Sequence, residues 1–317
     1  MRIRFGYVSQ ALSLWDSSAS KTMTFTSWEK LDETERKEKL LRITKINFEN
    51  TKRMVHFNIA HGIPLYRMSS SVVPLATHPE AGWDFVKPYK KLLKEIGTLV
   101  KKHGIRTSLH PNQFTLFTSD RKKVTENAIK DMQYHYDIFK AMGLEDEAVI
   151  NIHVGGAYGD KEKALKRFDQ NFPLIPEEIR KVTTLENDDK TYTTEETLRV
   201  CQQHNVKMVF DYHHHLANLC ETPLEQLLPE IYETWSDSPL VPKLHMSSPK
   251  SEKMYRAHSD YIDIDYFDPL LKLLKEIGED VDIMIEAKAK DKAVLKLMDE
   301  LEKKRGIKRV AGGVIEL

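Results

Sequence analysis

Six short β-type runs in this chain each stop on a side chain that can ligate a metal ion. They are TSLHP (His110), INIHVGG (His153), TTLEND (Glu186), VFDYHHH (Asp211 and His214), PKLHMSS (His245) and IMIEAK (Glu286). A repeated arrangement of this kind restricts the fold sharply. Parallel strands bring their C-terminal ends to one face, and that face carries the active site in eight-stranded α/β barrels.

Eight strands are expected, at Ile3–Ser9, Pro64–Ser69, Arg106–His110, Ala148–Val154, Val182–Asp188, Lys207–Tyr212, Pro242–Ser247 and Val281–Ala287. Between them run stretches with helical spacing. Lys37 to Ala60 carries Leu40, Leu41, Ile43, Ile46 and Val55, and Pro88 to His103 carries Leu92, Leu93, Ile96 and Leu99 before a His103-Gly104 stop. Strand–helix alternation argues for a parallel sheet, and eight repeats argue for closure. The fold class expected is α/β, a single TIM (β/α)8 barrel with long loops at the C-terminal face, spanning residues 1–317 as one domain. The long loops are Leu12–Thr34 and Ser248–Asp263, and Ala289–Arg309 reads as a last helix covering the barrel.

The 48 basic and 48 acidic residues balance, so a nucleic-acid partner needs a local basic patch. Cysteine is confined to Cys201 and Cys220, which points away from a disulfide framework and toward a reducing compartment. The chain enters a strand at once, and no run approaches a membrane span. A cytoplasmic protein with no membrane partner is the expectation.

Imidazole and carboxylate ligands together suit zinc and manganese. The candidates are His78, His110, His153, Glu186, Asp211, His214, His245, His258 and Glu286. They exceed the need of one ion, so two or three ions sharing carboxylates is the simpler account, with Glu186 and Asp211 as the expected bridges. Clusters of this kind serve phosphoester hydrolysis, activating water and steadying a leaving oxygen. They also serve sugar isomerisation. His56, His61, His103, His135 and His204 read as structural. Of the His213-His214-His215 run, strand alternation forbids all three from facing inward. His214 is favoured and His215 is the fallback.

The motifs GYVSQ (6–10), ATHP (76–79), SLHPNQF (108–114), HVGGAYGDK (153–161), LEND (185–188), DYHH (211–214), KLHMSS (243–248) and EAKAK (286–290) together resemble the ultraviolet damage endonucleases, from about Ile3 to Lys290. The resemblance implies a barrel related to endonuclease IV. It implies a manganese-dependent nick immediately 5′ of a lesion in double-stranded DNA, leaving a 3′-hydroxyl and a 5′-phosphate; zinc and magnesium are the alternative ions. Cyclobutane pyrimidine dimers and 6-4 photoproducts are the main lesions implied, with abasic sites also handled. It maps metal ligands onto His110, His153, Glu186, Asp211, His214, His245, His258 and Glu286, and a further site histidine onto His78. Lys243 takes the place of a lysine carboxylated in the family; unmodified, it would be a cation able to hold phosphate. Gln113 and Phe114 match a pair that probes the duplex, and Tyr7 matches a tyrosine of the family motif, with contact to the lesion or to the flipped bases as the expectation. Monomeric action is also expected.

Phosphate neutralisation would fall to cations beside the strand ends. Lys250, Lys253 and Arg256 stand in the seventh loop, Lys161, Lys163, Lys166 and Arg167 follow the fourth strand, Arg67 is in the second, and Lys288 and Lys290 follow the eighth. Phe114 follows a Pro-Asn-Gln turn, which favours exposure. Two other classes remain open: a sugar isomerase or epimerase on the same barrel, and a non-catalytic damage-binding protein with a structural metal.

Overall fold

The computed structural model describes residues 1–317. Eight parallel strands, β1 (Arg2–Val8), β2 (Leu65–Arg67), β3 (Arg106–Ser108), β4 (Ile150–His153), β5 (Thr183–Glu186), β6 (Lys207–Asp211), β7 (Lys243–Met246) and β8 (Val281–Ile285), lie in the spatial order β3-β2-β1-β8-β7-β6-β5-β4. The seam between β3 and β4 closes through a single bridge. Leu109 pairs with Ile150, with Leu109 N–H donating to Val149 (2.9 Å) and Asn151 N–H to Leu109 (3.0 Å). The result is the expected (β/α)8 barrel. All eight expected strands are present; β1 is shifted by one residue, and the other seven are trimmed where their ends bend into loops.

The helices are α1 (Phe25–Glu29), α2 (Glu33–His61), α3 (Val86–Lys102), α4 (Lys122–Met142), α5 (Lys161–Asn171), α6 (Glu177–Arg180), α7 (Thr194–His204), α8 (Tyr212–Ala217), α9 (Leu224–Glu233), α10 (Ile264–Ile277) and α11 (Asp291–Leu301). Local chemistry sets their limits. A capping box of Asp32 and Glu35 opens α2, and Gly62 in the left-handed region (φ 61°) ends it. A Cβ at Gly97 of α3 would lie 1.8 Å from the Met142 carbonyl oxygen of α4, so only glycine permits this approach of the two helices.

Strand alternation divides the barrel wall. Outward side chains such as Ile3, Phe5, Leu244, Ile283 and Ile285 are fully buried under the helices. Many inward positions are polar, among a few apolar ones such as Val209 and Met284, and low in the barrel they form an ionic layer. Arg4 grips Asp282 with Nε (2.6 Å) and Nη2 (2.7 Å), and Arg106 Nη1 reaches the same carboxylate at 2.7 Å. Above it, Lys243 Nζ donates to Ser108 Oγ (2.5 Å).

The tail departs from expectation. Its helix stops at Leu301, and a hairpin follows, β9 (Lys308–Ala311) and β10 (Val314–Glu316). β10 pairs antiparallel with Arg2–Arg4 of β1, whereas β2 pairs with Gly6–Val8. Because β2 has only three residues, the lower half of β1 needs another partner, and the tail supplies it. Helical spacing dominates this Lys/Glu-rich segment and hides the short strands behind it.

Candidate metal centre

The register of the sheet gathers the site. His153 of β4 is paired with Glu186 of β5, and Asp211 of β6 with His245 of β7. Adjacent strands lie roughly 4.7–4.9 Å apart, so paired inward side chains are neighbours. Glu286 follows β8, and His110 lies two residues past β3. Two groups of ligand atoms result, each with all atoms within 4.8 Å of one another: His110, His153 and Glu186, and Glu186, Asp211, His245 and Glu286. Glu186 belongs to both.

Around Glu186 stand His110 Nε2 (3.3 Å), His214 Nδ1 (3.4 Å) and His245 Nδ1 (3.2 Å). His245 Nδ1 is also 3.0 Å from Glu286 Oε1, and His258 Nδ1 lies 4.0 Å from Glu286 Oε2. Burial alone would raise the Glu186 carboxyl, yet His245, His153, His110 and His214 overcome it and hold the group well below the usual carboxylate range. Glu286 is likewise held down against burial, by Arg67 and His245. Burial alone would lower His214, but Asp211 and Glu186 outweigh it and raise the ring to about 11. Burial dominates at His110 and lowers it to about 4.

These donors fit divalent cations on a further observation. His153 Nδ1, both ring nitrogens of His245 and Asp211 Oδ2 are buried without a hydrogen-bond partner. Unpartnered buried groups are costly, and their falling on His153, Asp211 and His245, all members of the two ligand groups, is what a set of metal donors would show. The donor set is nitrogen and oxygen only, suited to manganese or zinc.

Outer contacts orient these ligands. Asn151, inward on β4 two residues before His153, donates through Nδ2 to Glu186 Oε2, and its Oδ1 accepts from Thr184 Oγ1 (2.8 Å). Asn187 ties β5 to β6, accepting from Asp211 N–H and donating to Asp211 O, both at 2.8 Å. The sequence reading passed over both, although the two-residue step from His153 to Asn151 marks an inward position.

The histidine run is not a strand extension. Residues 212–217 form helix α8, with Asp211 as its N-cap accepting from His214 N–H at 2.8 Å. Helical rotation therefore separates the three rings. His214 faces the cluster. His215 Nδ1 pairs with Thr194 Oγ1 (2.9 Å), so the fallback ligand is excluded. His213 bonds Ser247 Oγ and the Tyr255 carbonyl, both at 2.6 Å.

Other expected residues fall as follows. His78 joins neither ligand group; its ring stacks on Phe25 (centroids 4.0 Å apart) and Nδ1 accepts from Glu80 N–H (3.3 Å). Tyr7 has no exposed surface and donates its hydroxyl to Asn58 (2.7 Å), so lesion contact is corrected to packing against α2. Lys243 is 2% exposed, which removes the phosphate-holding alternative. Burial, then Arg106 and Arg67, push its ammonium well below the lysine range. Arg67 donates to Glu286 and is only 15% exposed, so it orients a ligand carboxylate instead of meeting phosphate. Gln113 and Phe114 are exposed, Phe114 at 72%, and Asn112 Oδ1 accepts from Phe114 N–H (2.9 Å) in the turn expected there. Lys250, Lys253 and Arg256 are exposed on the seventh loop. Lys161 and Lys163 pair with Glu196 and Asp160, and Arg167 Nε is bonded to the Thr118 carbonyl. Lys166 and Lys288 are exposed, and Lys290 Nζ reaches Ser9 Oγ at 3.2 Å.

Comparison with known proteins agrees with this geometry. The family model "UV-endonuclease UvdE" matches residues 3–317. A "UV DNA damage endonuclease" of Bacillus cereus (strain B4264) is 57% identical over 316 residues, covering 100% of each chain. The crystal structure of SacUVDE superposes with a TM-score of 0.84 at 31% identity, covering 95% of this chain and 100% of that one. Endonuclease IV from Thermus thermophilus, at 12% identity and a TM-score of 0.55 over 89% of this chain and 91% of its own, shares the fold. With the full length matched and the ligand-bearing strand ends in place, the chain belongs to the UvdE family of UV-endonucleases.

Proposed function

We propose that this endonuclease cuts the phosphodiester bond immediately 5′ of ultraviolet lesions in double-stranded DNA, leaving a 3′-hydroxyl and a 5′-phosphate. Cyclobutane pyrimidine dimers and 6-4 photoproducts are the principal substrates, and abasic sites a further one. The observation that carries the reading is the sharing of Glu186 between two ligand groups, in a chain 57% identical to a UV DNA damage endonuclease.

His110 and His153 hold one side of Glu186, and Asp211, His245 and Glu286 the other, with His214 and His258 at the margins. Bound there, two or three divalent ions, Mn2+ ahead of Zn2+ or Mg2+, supply Lewis acidity and charge neutralisation for phosphoryl transfer. Asn151 and Arg67 fix the carboxylates of Glu186 and Glu286 so that their lone pairs point inward. Lys243, buried beneath His245, supports the cluster from below, and carboxylation would make it an anion at that place. Exposed Gln113 and Phe114 enter the base stack, where a damaged, poorly stacked pair is displaced at least cost. Lys250, Lys253 and Arg256 position phosphates.

The test is nicking of ultraviolet-irradiated plasmid by the manganese-loaded protein, repeated with chelator and with Glu186→Gln. Nicking that requires both metal and irradiation, and that disappears in the variant while damaged-DNA binding persists, is the expected result. Binding without cleavage would make the protein a sensor, and turnover of free ketoses with intact DNA would make it an isomerase; either outcome sinks the proposal.

A further inference from the structure

Trp15 is 90% exposed, the most exposed large hydrophobic side chain of the protein, with Phe114 next at 72%. An indole in water is unfavourable, and a mobile loop would fold it away. This loop cannot. Arg53 of α2 donates to the Trp15 carbonyl (2.7 Å) and to that of Asp16 (3.2 Å), and Asn50 donates to the carbonyls of Asp16 (3.1 Å) and Ser18 (2.9 Å). Ser17 Oγ donates to Ala11 O (2.7 Å), while Leu12 N–H (2.6 Å) and Ser13 N–H (3.2 Å) reach the Asp291 carboxylate. Asp16 sits at φ 42°, a left-handed conformation unusual for a residue with a side chain. Its carboxylate is neutralised by Lys21 at 2.8 Å. A strained turn bound by this many hydrogen bonds holds the backbone that carries the exposed indole in place.

Trp15 also stands on the side of the metal centre. Helix α2 descends from the catalytic face beside β1, and Asn58 meets Tyr7 near the top of that strand. Arg53 lies five residues nearer the start of α2, about 7.5 Å higher at 1.5 Å per residue. The Trp15 backbone bonded to it therefore stands above the strand ends. The loops after β1 and β3 thus carry the two most exposed aromatic rings of the molecule above the same barrel mouth.

We propose that Trp15 is a second DNA-stacking residue, which receives a nucleobase of the opened duplex while Phe114 enters the stack. Stacking on an aromatic ring suits every base, because every base has a π face. A rigid indole loses little conformational freedom on binding, and Lys21 and Arg53 beside it leave no unpaired carboxylate to repel phosphate. This inference rests on the nuclease reading above.

The test exploits the other three tryptophans. Trp235 is buried, and Trp28, under the Arg36 guanidinium (4.0 Å), and Trp83, whose Nε1 donates to Pro74 O (3.2 Å), are half-buried, so Trp15 is the indole most open to a base and Trp15→Phe isolates its share of the signal. Metal-loaded protein is mixed in stopped flow with irradiated duplex, and emission is followed before the first nick. Parent protein should be quenched and Trp15→Phe should lose most of that change. Trp15→Ala should raise KM for nicking about tenfold with kcat within twofold, while Trp15→Phe, which keeps a ring, stays near the parent. No quenching in the parent, or an unchanged KM in Trp15→Ala, overturns the proposal, as does loss of self-association in that variant with nicking untouched. If irradiated DNA quenches Trp15 but is never nicked by the parent, the stacking role stands and the nuclease reading alone falls.

Discussion

Asn151 shows how a neutral side chain sets up a charged site. It carries no metal, yet its amide fixes one oxygen of Glu186, and its own carbonyl is held by Thr184. Loss of such outer partners typically reduces metal affinity or activity roughly 10–100-fold. Asn151→Ala should therefore weaken manganese uptake within that range, read by titration calorimetry, and lower stability by about 1–3 kcal/mol through the buried Glu186 and Thr184 groups left unpaired. His135 acts at the same scale but on stability. Burial lowers its pKa, with Asp131 opposing, and Nε2 has no partner. The unfolded chain therefore binds this proton more readily, and stability is lost as pH falls below the ordinary histidine value of 6.5. His135→Phe should show a smaller drop in denaturation midpoint between about pH 7 and pH 5 than the parent. At this scale the candidate donors were legible in the sequence, because His, Asp and Glu are the side chains that carry suitable lone pairs and most of them here close a strand. What escaped was neutral or ambiguous by type. Asn151 looks like any strand asparagine, and whether Tyr7 faces a lesion or α2 depends on which side of β1 is even and which odd.

Among the elements, strand positions were legible because buried β runs bounded by turn residues admit few alternatives. Two features were not. The start of α8 at Tyr212 depends on Asp211 serving at once as an inward strand residue and as a helix cap, and a period-two reading has no place for that double role. The hairpin of β9 and β10 is too short to show a period. The contact of α3 with α4 gives the test for this scale. Met142 O occupies the space a side chain on Gly97 would need, and backbone cannot yield as a side-chain tip can. Gly97→Ala should destabilise the protein by roughly 1–3 kcal/mol through overpacking, measured by urea denaturation, although alanine is the better helix former.

For the molecule as a whole, the barrel combines an apolar shell between strands and helices with a polar axis. That axis runs from the Arg4–Asp282–Arg106 layer through Lys243 to the ligand cluster. Removing one partner of a buried ion network leaves an uncompensated charge, so the lower layer is a condition of the upper one holding its shape. Closure of the wall also depends on residues far apart in sequence. Val314 and Ile315 of β10 are buried beside β1, each contributing ~1.5–3 kcal/mol if fully transferred from water. A chain ending at residue 307 should lose several kcal/mol in urea denaturation. Its metal content at low denaturant should be retained, because every ligand lies elsewhere.

The same pairing gives biosynthesis an order. Arg2–Arg4 is translated ahead of the other seven barrel strands, and its antiparallel neighbour follows all eight. Until then the nascent chain holds the lower half of one flank of β1 open, and the interval before the tail docks is when chaperones have most to protect.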